Sequence, residues 1–127
     1  DSPRVLIVDD WPDTSHAMAE FLELSGFSTM TAQNVGAALD TYLDWQPAAV
    51  LMDLGLPDMD GCEALRRMRQ CAPLRETYFL AVTGQDDEKH RRRARKAGFH
   101  EYLVKPTEIT QILSLLQQRL QPVAAGS

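Results

Sequence analysis

Short apolar runs alternate with segments whose apolar residues recur every three or four positions, and the alternation repeats five times. Arg4-Val-Leu-Ile-Val8 is apolar at consecutive positions and ends in Asp9-Asp10. Such a run predicts a strand buried on both faces of a parallel sheet. Pro12 suits the first position of a helix. Met18, Phe21, Leu22 and Ser25 then share one helical face, and Gly26 fits a C-terminal cap. Ser28 to Thr31 predicts a weaker strand. Asn34 is placed to cap a second helix, and Val35, Ala38, Leu39, Tyr42 and Leu43 give it an amphipathic stripe ending at Pro47. Ala48 to Met52 predicts another buried strand, ending at Asp53, and Gly55, Pro57 and Gly61 mark a loop. Cys62, Leu65 and Met68 line a third helix. Thr77 to Val82 predicts a strand ending at Thr83-Gly84. A fourth helix starts at Asp86 or Asp87 and closes near Gly98. Glu101 to Val104 predicts the last strand, ending at Lys105-Pro106. Thr107 is placed to cap a fifth helix carrying Ile109, Ile112, Leu113, Leu116 and Leu120.

Five strands alternating with five helices, with no repeat and no linker, predict an α/β sandwich of three layers around a parallel sheet. Right-handed crossovers restrict its topology strongly. The 127 residues suit one domain. Residues 1–122 are expected to form it, with 123–127 a flexible tail or appended remnant. The chain opens on Asp and closes on Ala-Ala-Gly-Ser, as an excised piece of a longer protein would. Net charge is −5, against wholesale nucleic-acid binding. No apolar run approaches the ~20 residues that span a bilayer, and no membrane insertion is expected. Cys62 and Cys71, on one helix, would be separated by roughly 13 Å of rise, too far for a disulfide. Two unpaired thiols fit a cytoplasmic location.

Asp9-Asp10, Asp53, Thr83 and Lys105 each follow a different predicted strand at its carboxyl end. In an open parallel sheet those ends share one edge, where ligands bind at the topological switch point. Three close carboxylates raise the cost of ionising all three. A hard divalent cation removes that cost, and Mg²⁺ prefers oxygen ligands and bridges to phosphate. One carboxylate is then free to attack phosphorus, with Lys105, Thr83 and backbone N–H groups to meet the transferring oxygens. Asp53 stands alone above a Gly/Pro loop and is the expected nucleophile. The adjacent Asp9 and Asp10 suit metal ligation.

On these residues the chain resembles the receiver domain of two-component response regulators over nearly its full length. The matching segments are Val5 to Asp10, Leu51 to Gly61, Val82-Thr83-Gly84 and Tyr102 to Pro106. Each is weak alone; four in order and near-family spacing are specific. The resemblance implies a chemotaxis-regulator-like, flavodoxin-like fold with strand order 2-1-3-4-5. It implies that Asp53 is the phosphoacceptor, and that Asp10, Asp53 and the Gly55 carbonyl contact Mg²⁺, with Asp9 nearby. Lys105 contacts the phosphoryl group, as do backbone groups of Leu54 and Gly84. Thr83 and Tyr102 form the switch, and the Lys105–Pro106 bond is cis. The implied donor is a histidine kinase or histidine phosphotransfer protein. A phosphorylation-dependent homodimer is a further partner to look for. The domain would promote its own phosphorylation and dephosphorylation without acting on an external substrate. The face that changes would comprise the fourth helix, fifth strand and fifth helix. Three positions depart from the commoner pattern. Gly55 gives the phosphoryl group no side-chain shield, Gln85 is placed to orient a water, and Thr107 replaces a large apolar residue.

Blander readings stand beside these. As lesser alternatives, one of Asp9 and Asp10 would merely cap the first helix, and Tyr102 would be an ordinary half-buried aromatic; Trp11 would equally cover apolar surface or flank the site. The run His90 to Lys96 is first a solvated helix, and second a docking surface for an acidic partner or a site of weak nucleic-acid contact. A phosphorylation-independent binding module is the second class of function. A Mg²⁺-dependent phosphohydrolase is the third, disfavoured because Gly55 supplies no second carboxylate.

Overall fold

The computed structural model describes residues 2–56, 60–73 and 75–120. Pro57 of the expected loop, and the expected tail with its boundary at residue 122, lie outside them. The elements are β1 (Arg4–Val8), α1 (Pro12–Leu24), β2 (Ser28–Ala32), α2 (Val35–Trp45), β3 (Ala49–Asp53), α3 (Gly61–Cys71), β4 (Tyr78–Thr83), α4 (Glu88–Ala97), β5 (Glu101–Val104) and α5 (Ile109–Leu120). The strands form one sheet in the order β2-β1-β3-β4-β5. Every neighbouring pair is parallel.

The period of two along a strand divides the core into two layers. Leu6, Val8, Val50, Met52, Phe79 and Ala81 point to one face, where they meet Tyr42 of α2, Leu65 and Met68 of α3, and Ala94 and Ala97 of α4. Val5, Ile7, Ala49, Leu51, Tyr78 and Leu80 point to the other, against Leu22 of α1 and Ile112 and Leu116 of α5. All five residues of β3 are buried. That is why its sequence is continuously apolar until Asp53. Burying a Val, Leu or Met side chain stabilises by roughly 1.5–3 kcal/mol, so a polar residue anywhere else in β3 would meet an apolar helix.

Local chemistry sets the helix ends. The Asn34 side chain accepts from the Ala37 N–H at 2.8 Å, as its spacing predicts. Asp60 and Asp87 cap α3 and α4 in the same way. Gly98 closes α4 with φ of 119°, a conformation that suits glycine. A Cβ there would also strike the Arg69 guanidinium, which donates to the Gly98 carbonyl at 2.9 Å and ties α3 to the end of α4.

Two expectations are corrected, and one alternative falls. Thr107 does not cap α5, which starts at Ile109; its hydroxyl donates back to the Val104 carbonyl at 2.9 Å. Leu43 leaves the apolar stripe of α2 and is exposed, whereas Tyr42 carries the burial. Tyr42 reaches across to share a buried hydrogen bond with the Thr77 hydroxyl at 3.2 Å. Neither Asp9 nor Asp10 caps α1: Trp11 holds that position, without a side-chain cap. Both cysteines lie on α3 and are free, Cys62 buried and Cys71 exposed. The Lys105–Pro106 bond is cis.

His100 closes the β4–β5 edge. Its N–H donates to the Phe79 carbonyl at 2.8 Å, and its Nδ1 accepts the Phe79 N–H at 3.0 Å. Burial holds its pKa below the ordinary histidine value, helped by the charges of Arg119 and Arg69 and opposed by Glu101. The accepted N–H also requires an unprotonated Nδ1. The unfolded chain therefore binds a proton at higher pH than the folded one. The stability tied to neutral His100 is fully present above the unfolded pKa of about 6.5. It declines as pH falls from there towards the folded value. Chemical denaturation of wild type should show this loss between about pH 7.5 and 5.5. His100→Asn, which keeps an acceptor but no titration, should show a flatter profile.

Candidate functional site

The sheet order places the carboxyl ends of β1 and β3 side by side, with Val8 opposite Met52. Asp53 pairs in register with Val82, and Thr83 with Val104. The ladder runs one residue further, because the Lys105 N–H donates to the Thr83 carbonyl at 2.8 Å. Four strand ends thus deliver Asp9, Asp10, Asp53, Thr83 and Lys105 to one edge, as the pattern of strand-terminal polar residues predicts.

Asp53 is 8% exposed at the bottom of this edge, and both of its carboxylate oxygens are engaged. Oδ1 accepts the Gly55 N–H at 2.9 Å. Oδ2 accepts from Lys105 Nζ at 2.8 Å. One ligand oxygen from each of Asp9, Asp10 and Asp53 lies within 4.8 Å of the others. Burial raises the Asp9 pKa above the usual carboxylate value; the Trp11 N–H and Lys105 oppose this, while Asp53 and Asp10 add to it. Burial also works against the Lys105 charge. The hydrogen bond and charge of Asp53, with Asp9 and Asp10 behind it, outweigh that and hold the ammonium above its ordinary pKa. The all-oxygen donor set suits a hard divalent cation.

The remaining expected residues are close by. Thr83 is buried at the end of β4, and its hydroxyl accepts the Gln85 N–H at 3.2 Å. The Tyr102 hydroxyl donates to the Gln85 carbonyl at 2.7 Å, and the Arg91 guanidinium lies 5.0 Å over its ring. Burial and the nearby Asp87 raise the Tyr102 phenol pKa, against Arg91 and the Thr83 hydroxyl. Tyr102 is therefore tied to the β4–α4 loop. The space above Gly84 is open, and a Cβ added there would meet nothing within 4 Å. The Leu54 N–H donates to the Val82 carbonyl at 3.0 Å. It serves the β3–β4 ladder.

Two clefts meet at Asp53 and Lys105. One, of about 510 Å³, runs between α1 and the start of α5, with Trp11, Met18, Thr107 and Ile112 on its walls. Trp11 is 66% exposed and flanks this opening. Thr107 helps leave the cleft open where a large apolar side chain was expected. The other, of about 500 Å³, lies between the β3–α3 and β4–α4 loops and is walled by Asp60, Cys62, Gln85, His90 and Arg93. Sequence reasoning missed Asp60 and Arg93, which form an ion pair across α3 and α4. Only the basic character of the α4 run hinted at them. The run otherwise behaves as a solvated helix, with Arg91 on Asp86, His90 on Asp87 and Arg92 near Glu88.

Residues 5–117 match the model of the response regulator receiver domain, and the chain belongs to that family. It is 32% identical over 118 residues to the regulatory protein AtoC of Escherichia coli K12, covering 93% of this chain and 25% of that protein. It spans about half the length of the mycobacterial regulators MprA and PrrA that it also matches. Among solved structures, a CheY-like receiver domain protein of Methanospirillum hungatei superposes with a TM-score of 0.87 at 26% identity, over 95% of each chain. A response regulator of Burkholderia pseudomallei, described with a phosphorylated aspartic acid, a calcium ion and citrate, superposes with a TM-score of 0.82 at 26% identity, over 91% of this chain and 66% of that one. The chain is thus a receiver domain of two-component signal transduction. Among the described residues no helix is long and apolar enough to cross a membrane.

Lys105 sets the electrostatics of the carboxylate cluster. Lys105→Met removes the cation that competes with a divalent ion. It should tighten Mg²⁺ binding by about fivefold, given the Coulomb energy of close charges in a partly solvated site. Titration of Mg²⁺ followed through the fluorescence of Trp11 should report it.

Proposed function

We propose that this domain accepts a phosphoryl group on Asp53 from a phosphohistidine of a histidine kinase or phosphotransfer protein. The observation that carries the reading is the Lys105–Asp53 contact of 2.8 Å beside two further carboxylates on one sheet edge. The phosphorylated aspartic acid of the Burkholderia pseudomallei neighbour supports it. Asp9, Asp10, Asp53 and the Gly55 carbonyl would hold Mg²⁺. When bound it supplies positive charge against the crowded carboxylates and the incoming phosphoryl oxygens.

An oxygen of Asp53 forms the bond to phosphorus as the P–N bond of the phosphohistidine breaks, and the departing imidazole takes a proton from solvent. Asp53 loses its negative charge on becoming an acyl phosphate. The Lys105 ammonium then follows the charge onto a phosphoryl oxygen. The Thr83 hydroxyl turns from the Gln85 N–H towards the same group. Because Tyr102 holds the carbonyl of Gln85, movement of that loop reaches the aromatic directly. The result is a shift between two states of the face made by α4, β5 and α5. An effector, or a second phosphorylated copy of the chain, would read that face. No external substrate is turned over, since position 55 offers no second carboxylate beside the nucleophile. The two free thiols support a cytoplasmic setting.

Incubation with acetyl phosphate, followed by intact mass spectrometry, tests the reading. A single phosphoryl adduct is expected with Mg²⁺ present. It should be absent without Mg²⁺ and absent in Asp53→Asn. Uptake by Asp53→Asn at the same level would refute the assignment.

A further inference from the structure

The cleft between the β3–α3 and β4–α4 loops carries a guanidinium for which phosphoryl transfer to Asp53 has so far needed no role. Arg93, on α4, shares this cleft with Asp53 and Lys105. Its present partner is Asp60, the N-cap of α3, through Oδ2. The other oxygen of Asp60 accepts the Cys62 N–H at 2.9 Å. The cap and the ion pair thus use different atoms of one carboxylate.

We infer that Arg93 is a phosphoryl-binding residue: once Asp53 is phosphorylated, its guanidinium leaves Asp60 for the phosphoryl oxygens. The inference rests on the phosphoacceptor role proposed for Asp53. Three observations carry it. The Arg93 and Asp60 side chains are 50% and 36% exposed, so their pair is solvent-screened and weak. A phosphoryl group close to a dianion, with three acceptor oxygens, suits the planar guanidinium fork better than a lone carboxylate does. The cleft is also open at its glycines, because Gly55 has no side chain and a Cβ on Gly84 would touch nothing within 4 Å.

The exchange costs α3 nothing at its N-terminus, since Asp60 keeps the Cys62 N–H. It does change how α4 is held. Arg93 and Arg69 are ties between α3 and α4. Arg69 grips the Gly98 carbonyl at the carboxyl end of α4. Loss of the Arg93 tie frees the amino-terminal half of α4 from α3 and binds it to the acceptor site. Phosphorylation would thereby reposition α4 through its own side chain, in addition to the route through Thr83 and Tyr102.

The test compares wild type, Arg93→Gln, Arg93→Lys, Asp60→Asn and the Asp60→Asn/Arg93→Gln double variant as full chains. Each is checked by circular dichroism. Affinity for beryllium fluoride in Mg²⁺ is measured, together with the acetyl phosphate adduct. Arg93→Gln should weaken beryllium fluoride binding by roughly tenfold, the worth of one charge-assisted hydrogen bond. Arg93→Lys should fall in between, and it decides the matter if the Gln variant does not fold. Asp60→Asn keeps the cap but removes the competitor for Arg93, so it should bind more tightly than wild type. The double variant should match Arg93→Gln. If wild type forms the adduct while Arg93→Gln and Arg93→Lys both bind as it does, the inference is wrong. If Asp60→Asn weakens binding as much as Arg93→Gln, the pair is a structural strut and the inference is wrong again. If wild type takes neither adduct nor beryllium fluoride, the phosphoacceptor role fails and this inference falls with it.

Discussion

β3 has water on neither face, and the rest of the molecule is arranged to keep it so. Its five residues are buried between α2, α3 and α4 on one side and α1 and α5 on the other. A strand in that position tolerates charge only where it emerges from both layers, and Asp53 occupies that point. The same constraint on β1 and β4 sends Asp9 and Thr83 to their carboxyl ends. Because the strands are parallel, all these ends share one edge. The concentration of polar chemistry at the site is thus the counterpart of its exclusion from the core.

That concentration carries an electrostatic cost. Three carboxylates within reach of one ion repel one another, and burial of Asp9 adds to the cost of its charge. Lys105 offsets part of this from β5, raised in pKa by the same carboxylates. The arrangement is therefore poised: a group that neutralises Asp53, or a cation that joins the cluster, changes the balance Lys105 holds. In the proposed function, charge movement over a few ångströms would redirect the ammonium and the Thr83 hydroxyl.

In the proposed function, the β4–α4 loop would carry such a change outward. Thr83 and Tyr102 both bond to the backbone of Gln85, and Arg91 packs over the Tyr102 ring. The helix that follows is almost wholly polar, with only Ala94 and Ala97 buried. Few apolar contacts therefore anchor this helix, and its one ion pair to another element among the described residues, Arg93–Asp60, is exposed. The basic character of α4 thus has a structural consequence beyond solubility.

The alternation of apolar runs with helical periodicity was enough to predict all ten elements, because each pattern reports the face its own element buries. The strand-terminal residues Asp9, Asp10, Asp53, Thr83 and Lys105 were legible for the same reason, since parallel topology turns separate strand ends into neighbours. The Asn34 cap needs only three residues of context and was equally readable. Thr107 was misjudged as a cap because α5 starts only at Ile109, two residues on, while the Thr107 hydroxyl donates to Val104 across the turn after β5. Leu43 matched the periodicity of α2 yet fell beyond the helix's contact with the core. The Arg93–Asp60 pair was invisible for a related reason: it joins residues 33 apart on two helices whose relative placement the sheet decides. Sequence by itself determined which residues face a core and which end a strand, because those are properties of a single element's period. Tertiary structure alone decided which polar groups of different elements are partners, because such a hydrogen bond or ion pair depends on distances between elements that no local pattern encodes.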